Sequence, residues 1–245
     1  MTSSEPAILA IEAAGGACST AVWAAGGVAS RRFQIMSRGQ SEHLVPMIAE
    51  VMADWGGGFE ALDALAVTTG PGGFTGVRIG LATARGLALA RRLPLIGIAS
   101  FEVSAAAATA EERAGRTVAA LIDSKRQDVF LQLFDASLVP LGDPREVALD
   151  DLGGSLPEGP LLLTGDAADR GLQVLERAGR GDCLRAAAAG AADAALLAER
   201  AALHLRRRGA AATGPAAPLY LREPDVTPPK TRGPKPNGAG RKRAP

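Results

Sequence analysis

The sequence is poor in the residues from which disulfides and transition-metal sites are built. Its 245 residues include two cysteines, Cys18 and Cys183, and two histidines, His43 and His204. The cysteines stand too far apart for a disulfide framework or for a paired zinc motif. The histidines are also far apart, so we expect no metal site and no cofactor. His43 has no nucleophile motif beside it, which favours a surface or interface role over catalysis.

Long hydrophobic runs are missing as well. No apolar stretch approaches the roughly 18 residues that a membrane-spanning helix needs. The start MTSSEPAILAIE has neither the basic nor the long apolar region of a signal peptide. We therefore expect a cytoplasmic protein without membrane contact. Aromatic residues are 4% of the chain against 47% hydrophobic, so the core should consist of aliphatic side chains and close helix contacts.

The net charge of +1 hides an uneven distribution of charge. Six of the 27 basic residues and one of the 26 acidic residues lie in 224–245, which leaves 21 basic and 25 acidic residues before it. The acidic main part is a poor surface for nucleic acid, because phosphate contacts require clustered Lys and Arg. Residues 223–245, rich in proline and glycine, are predicted to be a disordered basic tail, either solvated or in contact with RNA.

Apolar runs separated by turn residues predict two blocks of strands and helices. Each block begins with a predicted hairpin and continues with mixed elements, which favours two related α/β lobes, at 1–106 and 107–222. The predicted strands are 7–11, 17–23, 28–35, 62–68, 95–98, 117–122, 129–134 and 161–164, and the predicted helices are 41–53, 75–91, one from Ser100 into the alanines at 105–110, and 191–208.

A glycine-rich segment, Gly70-Pro71-Gly72-Gly73-Phe74-Thr75-Gly76, joins a predicted strand to a predicted helix; we call it the glycine loop. It does not match a phosphate-binding P-loop, because Thr75 stands where the second glycine is needed and no lysine occurs between 40 and 124. The dinucleotide pattern fails for the same reason. The loop indicates close approach of strand and helix, with a relic nucleotide contact at the helix N-terminus as the alternative.

The helices around the glycine loop carry two stripes of residues at helical spacing. One stripe is apolar and the other consists of small residues, which allow a second helix to pack closely. Such stripes serve either as a partner interface or as part of the chain's own core. The stripe residues are Leu44, Met47, Ile48, Val51, Gly76, Gly80 and Ala84.

The glycine loop with Val77 and Arg78 strongly resembles the signature of the TsaB family, also called the YeaZ family. Three further segments agree with this resemblance: 8–11 with 17–21, 41–48, and 218–222. Order and spacing match from about residue 7 to residue 222. The loop is the specific element, whereas the other three segments are weak singly and useful together.

The resemblance implies the two-lobed actin-like fold of sugar kinases, Hsp70 and actin, with a degenerate nucleotide site. It also implies a non-catalytic subunit in the synthesis of threonylcarbamoyladenosine beside the tRNA anticodon. Such a subunit pairs with a TsaD-like catalytic subunit through helices of its first lobe, and a TsaE-like ATPase completes the set. The stripe residues would contact TsaD or a second copy, and tRNA would be met indirectly through the complex.

Several positions depart from the patterns that related proteins carry. Glu12-Ala13-Ala14 stands where TsaB relatives usually carry Asp-Thr-Ser, and we expect Glu12 to be a solvated turn acid. Asp123-Ser124-Lys125 in the second block is expected to be a capped hairpin turn. On the alignment with TsaD-type proteins, Ser100 and Ser104 occupy the two metal-histidine positions, and serine is a poor ligand beside imidazole.

Two other functions stay open at this point. One is an ATP-dependent phosphotransferase of the same fold, which would need Glu12 and Asp123 to act on magnesium and phosphate. The other is a stand-alone tRNA-binding protein that uses the basic tail.

Overall fold

Two five-stranded mixed sheets form the framework of the protein. The computed structural model describes residues 5–214 and 216–222, and the predicted tail at 223–245 lies outside the described residues. The first sheet has the order β3-β2-β1-β4-β5 and the second the order β10-β9-β6-β7-β8. The strands are β1 Ile8–Glu12, β2 Ala17–Ala24, β3 Gly27–Ile35, β4 Ala64–Thr68, β5 Leu95–Ile98, β6 Thr117–Asp123, β7 Asp128–Phe134, β8 Arg145–Ala148, β9 Leu161–Thr164 and β10 Cys183–Arg185.

The two sheets repeat one topology. In each, the first strand pairs antiparallel with the second, the second with the third, and the first pairs parallel with the fourth. The fourth and fifth strands are also parallel. This duplicated arrangement confirms the predicted two-lobed, actin-like α/β fold.

Helices cover the faces of the sheets and close three apolar clusters. They are α1 Gln40–Trp55, α2 Phe74–Arg91, α3 Ser100–Ala105, α4 Ala110–Arg113, α5 Leu152–Ser155, α6 Ala168–Arg177 and α7 Ala194–Arg208. Helices α1 and α2 pack on one face of the first sheet, and α3, α5 and α6 pack against the second. None of the helices within the described ranges is long and apolar enough to span a membrane.

Helix α7 lies in the second half of the sequence but packs on the other face of the first sheet. Its buried residues are small or apolar at helical spacing: Ala194, Leu197, Ala198, Ala201 and Ala202. They form one cluster with residues of β1, β2, β4 and β5. The first sheet is therefore completed by a helix that follows the second sheet in the chain.

The predicted elements agree with the structure where the apolar pattern is long. The helix predicted at 41–53 spans Gln40–Trp55, and it ends at Gly56, whose φ is 76°. The helix predicted to run into the alanines at 105–110 is shorter, because α3 ends at Ala105. Strands β8 and β10 and helices α4, α5 and α6 were not predicted, since they are short or interrupted by glycine and charged residues.

Candidate functional site

The glycine loop lies against the backbone of the turn between β1 and β2. The N–H of Gly73 donates a hydrogen bond to the Ala14 carbonyl at 2.7 Å. A Cβ added to Gly72 would lie 2.3 Å from the Ala14 oxygen, and one added to Gly76 would lie 2.0 Å from the Ala13 oxygen. These distances confirm a tight loop that brings strand and helix together, because a side chain at either position would overlap the turn.

Glu12 at the end of β1 is buried, so the expectation of a solvated turn acid was wrong. Its side chain is 1% exposed, and Oε1 accepts hydrogen bonds from the N–H groups of Ala14 at 2.7 Å and Gly15 at 3.2 Å. Burial raises the pKa of Glu12 to about 7, and the charge of Asp166 adds to the rise. The buried carboxylate therefore stabilises its own turn through hydrogen bonds from two backbone N–H groups.

The second hairpin turn is capped by its own side chains, as the sequence predicted. Asp123 Oδ1 accepts the Lys125 N–H at 2.8 Å, and Ser124 Oγ accepts the Arg126 N–H at 3.2 Å. Although burial opposes it, hydrogen bonds from Lys125 and the charge of Arg170 hold the pKa of Asp123 below its usual value. Both oxygens of Asp123 are therefore engaged in stabilising this turn.

The two serines at the expected metal positions lie inside the protein. Ser100 and Ser104 are each 2% exposed, and neither hydroxyl has a hydrogen-bond partner in the described part of the chain. Among the described residues no group of three or more His, Cys, Asp or Glu is arranged to hold a metal ion. His43 is exposed and lies 3.0 Å from the Gly39 carbonyl through Nδ1, while His204 pairs with Glu102 at 2.7 Å.

The seven stripe residues point into the chain's own core rather than toward solvent. Leu44 and Val51 are fully buried, and Met47 and Ile48 are nearly so. Gly76, Gly80 and Ala84 are buried on the side of α2 that faces the first sheet. Their burial places these residues in the chain's own core, and the partner contact predicted for them stays a prediction.

The outer faces of α1 and α2 expose apolar side chains. Val45 is 60% exposed on α1, and Leu89 is 83% exposed on α2. Pro46 and Ala90 are exposed next to them. We call Val45, Pro46, Leu89 and Ala90 the outer face of the helix pair. Apolar side chains that stay exposed on a helix are candidates for contact with another protein, because a partner would remove them from water.

Three side chains stack at the start of α2. The guanidinium of Arg78 lies 3.6 Å from the centre of the Phe74 ring, and its Nε donates a hydrogen bond to the Tyr220 hydroxyl at 3.0 Å. The Phe74 and Tyr220 rings are 5.7 Å apart. Sequence reasoning missed this Phe74–Arg78–Tyr220 stack; the available signal was that Tyr220 is the sole tyrosine and lies in the C-terminal segment of the signature.

A groove of about 360 Å³ runs beside the stack, between the glycine loop and the second hairpin. Phe130 and Leu219 form part of its apolar wall, and Lys125 also lines it. The structure thus brings together the glycine loop, the second hairpin and the segment 219–222, which are far apart in sequence.

Comparisons with known proteins agree on one family. The model of the family "TsaD: tRNA N6-adenosine threonylcarbamoyltransferase" matches residues 24–158. The tRNA threonylcarbamoyladenosine biosynthesis protein TsaB of Escherichia coli K12 is 39% identical over 123 residues, covering 50% of this chain and 52% of the relative. The TsaB protein of Haemophilus influenzae is 37% identical, covering 50% of this chain and 51% of that protein.

These alignments therefore span about half the length of the curated relatives. A solved structure is similar to this chain over most of its length. YeaZ from Pseudomonas aeruginosa has a TM-score of 0.70 at 24% identity, covering 88% of this chain and 100% of that one. At this identity the likeness establishes the fold.

Proposed function

The chain belongs to the tRNA N6-adenosine threonylcarbamoyltransferase family, as a member of its TsaB (YeaZ) group, and we propose that it acts in threonylcarbamoyladenosine synthesis on tRNA. Its role is that of a non-catalytic subunit that holds and activates a TsaD-like catalytic subunit. A TsaE-like ATPase joins the pair, tRNA is met through the complex, and the work takes place in the cytoplasm.

The proposal that this subunit is non-catalytic is based on the contacts of its polar residues. Glu12 is buried and bonded to its own turn, and Asp123 is bonded to Lys125 and Arg170. The glycine loop is filled by the backbone of Ala13 and Ala14 at the place where a phosphate would approach. Glu12 is closed off from solvent and both oxygens of Asp123 are hydrogen-bonded, so neither acid offers an accessible ligand position to magnesium and phosphate.

The pairing surface is the outer face of α1 and α2, and this exposed apolar face is the observation that carries the proposal. Val45 and Leu89 present apolar area to solvent although the inner stripe of the same helices is buried. A helix from a TsaD-like partner would remove that area from water. A second copy of this chain would use the same face, so a homodimer and the complex with the partner exclude each other.

The test combines co-purification with a tRNA modification assay, using the TsaD homologue of the same organism. Replacing Val45 and Leu89 with Glu should abolish the complex and reduce modification at least 10-fold, because two charges would be buried at the contact. The folded state should persist, since both side chains are exposed.

The matched control replaces Val139 and Leu184 with Glu. These residues are 55% and 49% exposed but lie away from α1 and α2. The control should keep full binding and modification. Equal loss in both double variants, or full binding by the Val45/Leu89 variant, would reject the proposed surface.

A further inference from the structure

A small cavity lies between the two halves of the protein, beside the glycine loop. Its volume is about 10 Å³, and its walls include Gly15, Pro71, Ser100, Ser104, Asp166 and Gly190. A cavity of this size accommodates about one water-sized particle. The first four residues belong to the first half of the chain and the last two to the second half.

The two serine hydroxyls of this cavity lack hydrogen-bond partners among the described residues. Ser100 and Ser104 are four residues apart on α3, so their side chains lie on the same side of the helix. Both hydroxyls are buried without a hydrogen bond. Leaving a buried hydroxyl unpaired is destabilising, because its hydrogen bonds to water are lost on folding. Two such groups opening into one cavity indicate that something with matching chemistry occupies it.

Asp166 supplies a carboxylate to the same cavity. Its Oδ1 accepts the Asp123 N–H at 2.8 Å, whereas Oδ2 faces the Gly15 side, 3.9 Å from where a Cβ of that glycine would lie. Oxygen atoms from two hydroxyls and one carboxylate thus border a space for one particle. Hard oxygen ligands of this kind suit s-block cations rather than transition metals.

The charge around the cavity is negative. Glu12 is buried behind Gly15 and its pKa is raised, first by burial and also by the charge of Asp166. Burial likewise raises the pKa of Asp166. The charge of Lys125 acts against this rise, but its ammonium is already bound to Asp123 Oδ2 at 3.1 Å. A positive charge in the cavity would stabilise both carboxylates.

We propose that this cavity binds one monovalent cation of the size of Na⁺ through the hydroxyls of Ser100 and Ser104 and Oδ2 of Asp166. Mg²⁺ is a poor occupant, because it keeps several of its waters and the cavity has room for one particle. The cation joins α3 to the loop after β9, so it fixes the two halves relative to each other. This site is independent of the outer face of α1 and α2.

Thermal unfolding of the full chain tests the site. The protein is dialysed into tetramethylammonium chloride and then titrated with NaCl or KCl at constant ionic strength. We expect Na⁺ to raise the unfolding midpoint by about 2–5 °C in a saturable manner, with a smaller effect of K⁺. Tetramethylammonium, which cannot enter the cavity, is the reference.

Two variants assign the effect to this cavity. Asp166→Asn and the double variant Ser100→Ala/Ser104→Ala should each lose the response to Na⁺. The double serine variant should be more stable than the parent in tetramethylammonium, because the unpaired hydroxyls are gone. In NaCl it should be less stable than the parent. Ser137→Ala, at an exposed serine, is the control and should respond like the parent.

Direct binding is measured by broadening of the ²³Na resonance, which the parent should cause and the double serine variant should not. Equal midpoints in Na⁺ and tetramethylammonium would overturn the proposal in favour of a water molecule. A Na⁺ response that survives in the double serine variant would also overturn it, because the cation would then bind elsewhere.

Discussion

Gly72 and Gly76 occupy places where the protein has no space for a side chain. A Cβ on Gly72 would lie 2.3 Å from the Ala14 carbonyl oxygen, and a Cβ on Gly76 would lie 2.0 Å from the Ala13 carbonyl oxygen. The contacts are with backbone, which cannot rotate away as a flexible side chain can. At the residue scale, the glycine loop is therefore specified by its contact with the β1–β2 turn.

Replacing Gly76 with Ala should lower the free energy of unfolding by about 2–3 kcal/mol, because the added methyl would displace the turn. Gly86 on the same helix is the matched control, since a Cβ there meets nothing within 4 Å. Gly86→Ala should raise stability by about 0.5–1 kcal/mol through helix propensity. Urea unfolding measures both; equal effects of the two changes would contradict this account of the loop.

Glu12 gives the protein a pH-dependent stability. Its pKa is about 7 in the folded protein against an ordinary value of 4.5. Between these values the folded state binds more protons than the unfolded state, so stability falls as pH rises. The full cost is present above about pH 7 and absent below about pH 4.5.

The variant Glu12→Gln should therefore be more stable than the parent by on the order of 2–3 kcal/mol at pH 8. The advantage should shrink toward zero as the pH is lowered to about 4.5. Urea unfolding at pH 5 and pH 8, in tetramethylammonium buffer, measures it. An advantage that is the same at both values would show that Glu12 does not titrate in this range.

At the scale of elements, α7 depends on one residue at its start. Asp193 Oδ1 accepts the Ala195 N–H at 2.9 Å, and Arg31 forms an ion pair with the same carboxylate. The Ser19 hydroxyl lies 3.2 Å away and in turn accepts the Ala194 N–H at 3.1 Å. This cap joins the helix to β2 and β3, so it holds α7 on the first sheet.

Removing the cap with Asp193→Ala should cost about 1–2 kcal/mol, as the loss of a helix N-cap does. Glu199→Ala on the same helix is the control, because Glu199 is exposed and the change should stay within about 0.5 kcal/mol. Chemical unfolding of both variants measures the difference. If both variants keep the parent's stability, the cap does not anchor α7.

At the scale of the whole molecule, a helix from the second half of the chain covers an apolar face of the first sheet. The face of the first sheet that contains Ala10, Ala66 and Ile96 is covered by α7. The division at residue 106 stays a prediction from the sequence, and any first lobe cut there would lack this helix. An uncovered apolar sheet face would be exposed to water and prone to association.

A fragment comprising residues 1–106 should thus fail to unfold cooperatively, since one face of its sheet is open. Joining residues 191–212 to it through a flexible Gly/Ser linker should restore a cooperative transition in circular dichroism. A fragment 1–106 that is monomeric and unfolds cooperatively by itself would show that α7 is dispensable for the first lobe.

The sequence by itself determined the local elements and the family. Long apolar runs between turn residues specify β1, β4 and α1, because side-chain periodicity is a local property. The glycine loop with Arg78 was recognisable because contiguous residues carry it. The scarcity of histidine and cysteine likewise follows from composition.

Only the tertiary structure decided which surfaces meet. A stripe such as Leu44 to Val51 shows that one face of a helix is apolar, but not whether this chain or a partner covers it. The burial of Glu12, the contact of Arg78 with Tyr220 and the return of α7 to the first sheet all join distant segments. The free energy that selects such contacts comes from burying apolar area, which is non-directional and leaves no spacing rule in the sequence.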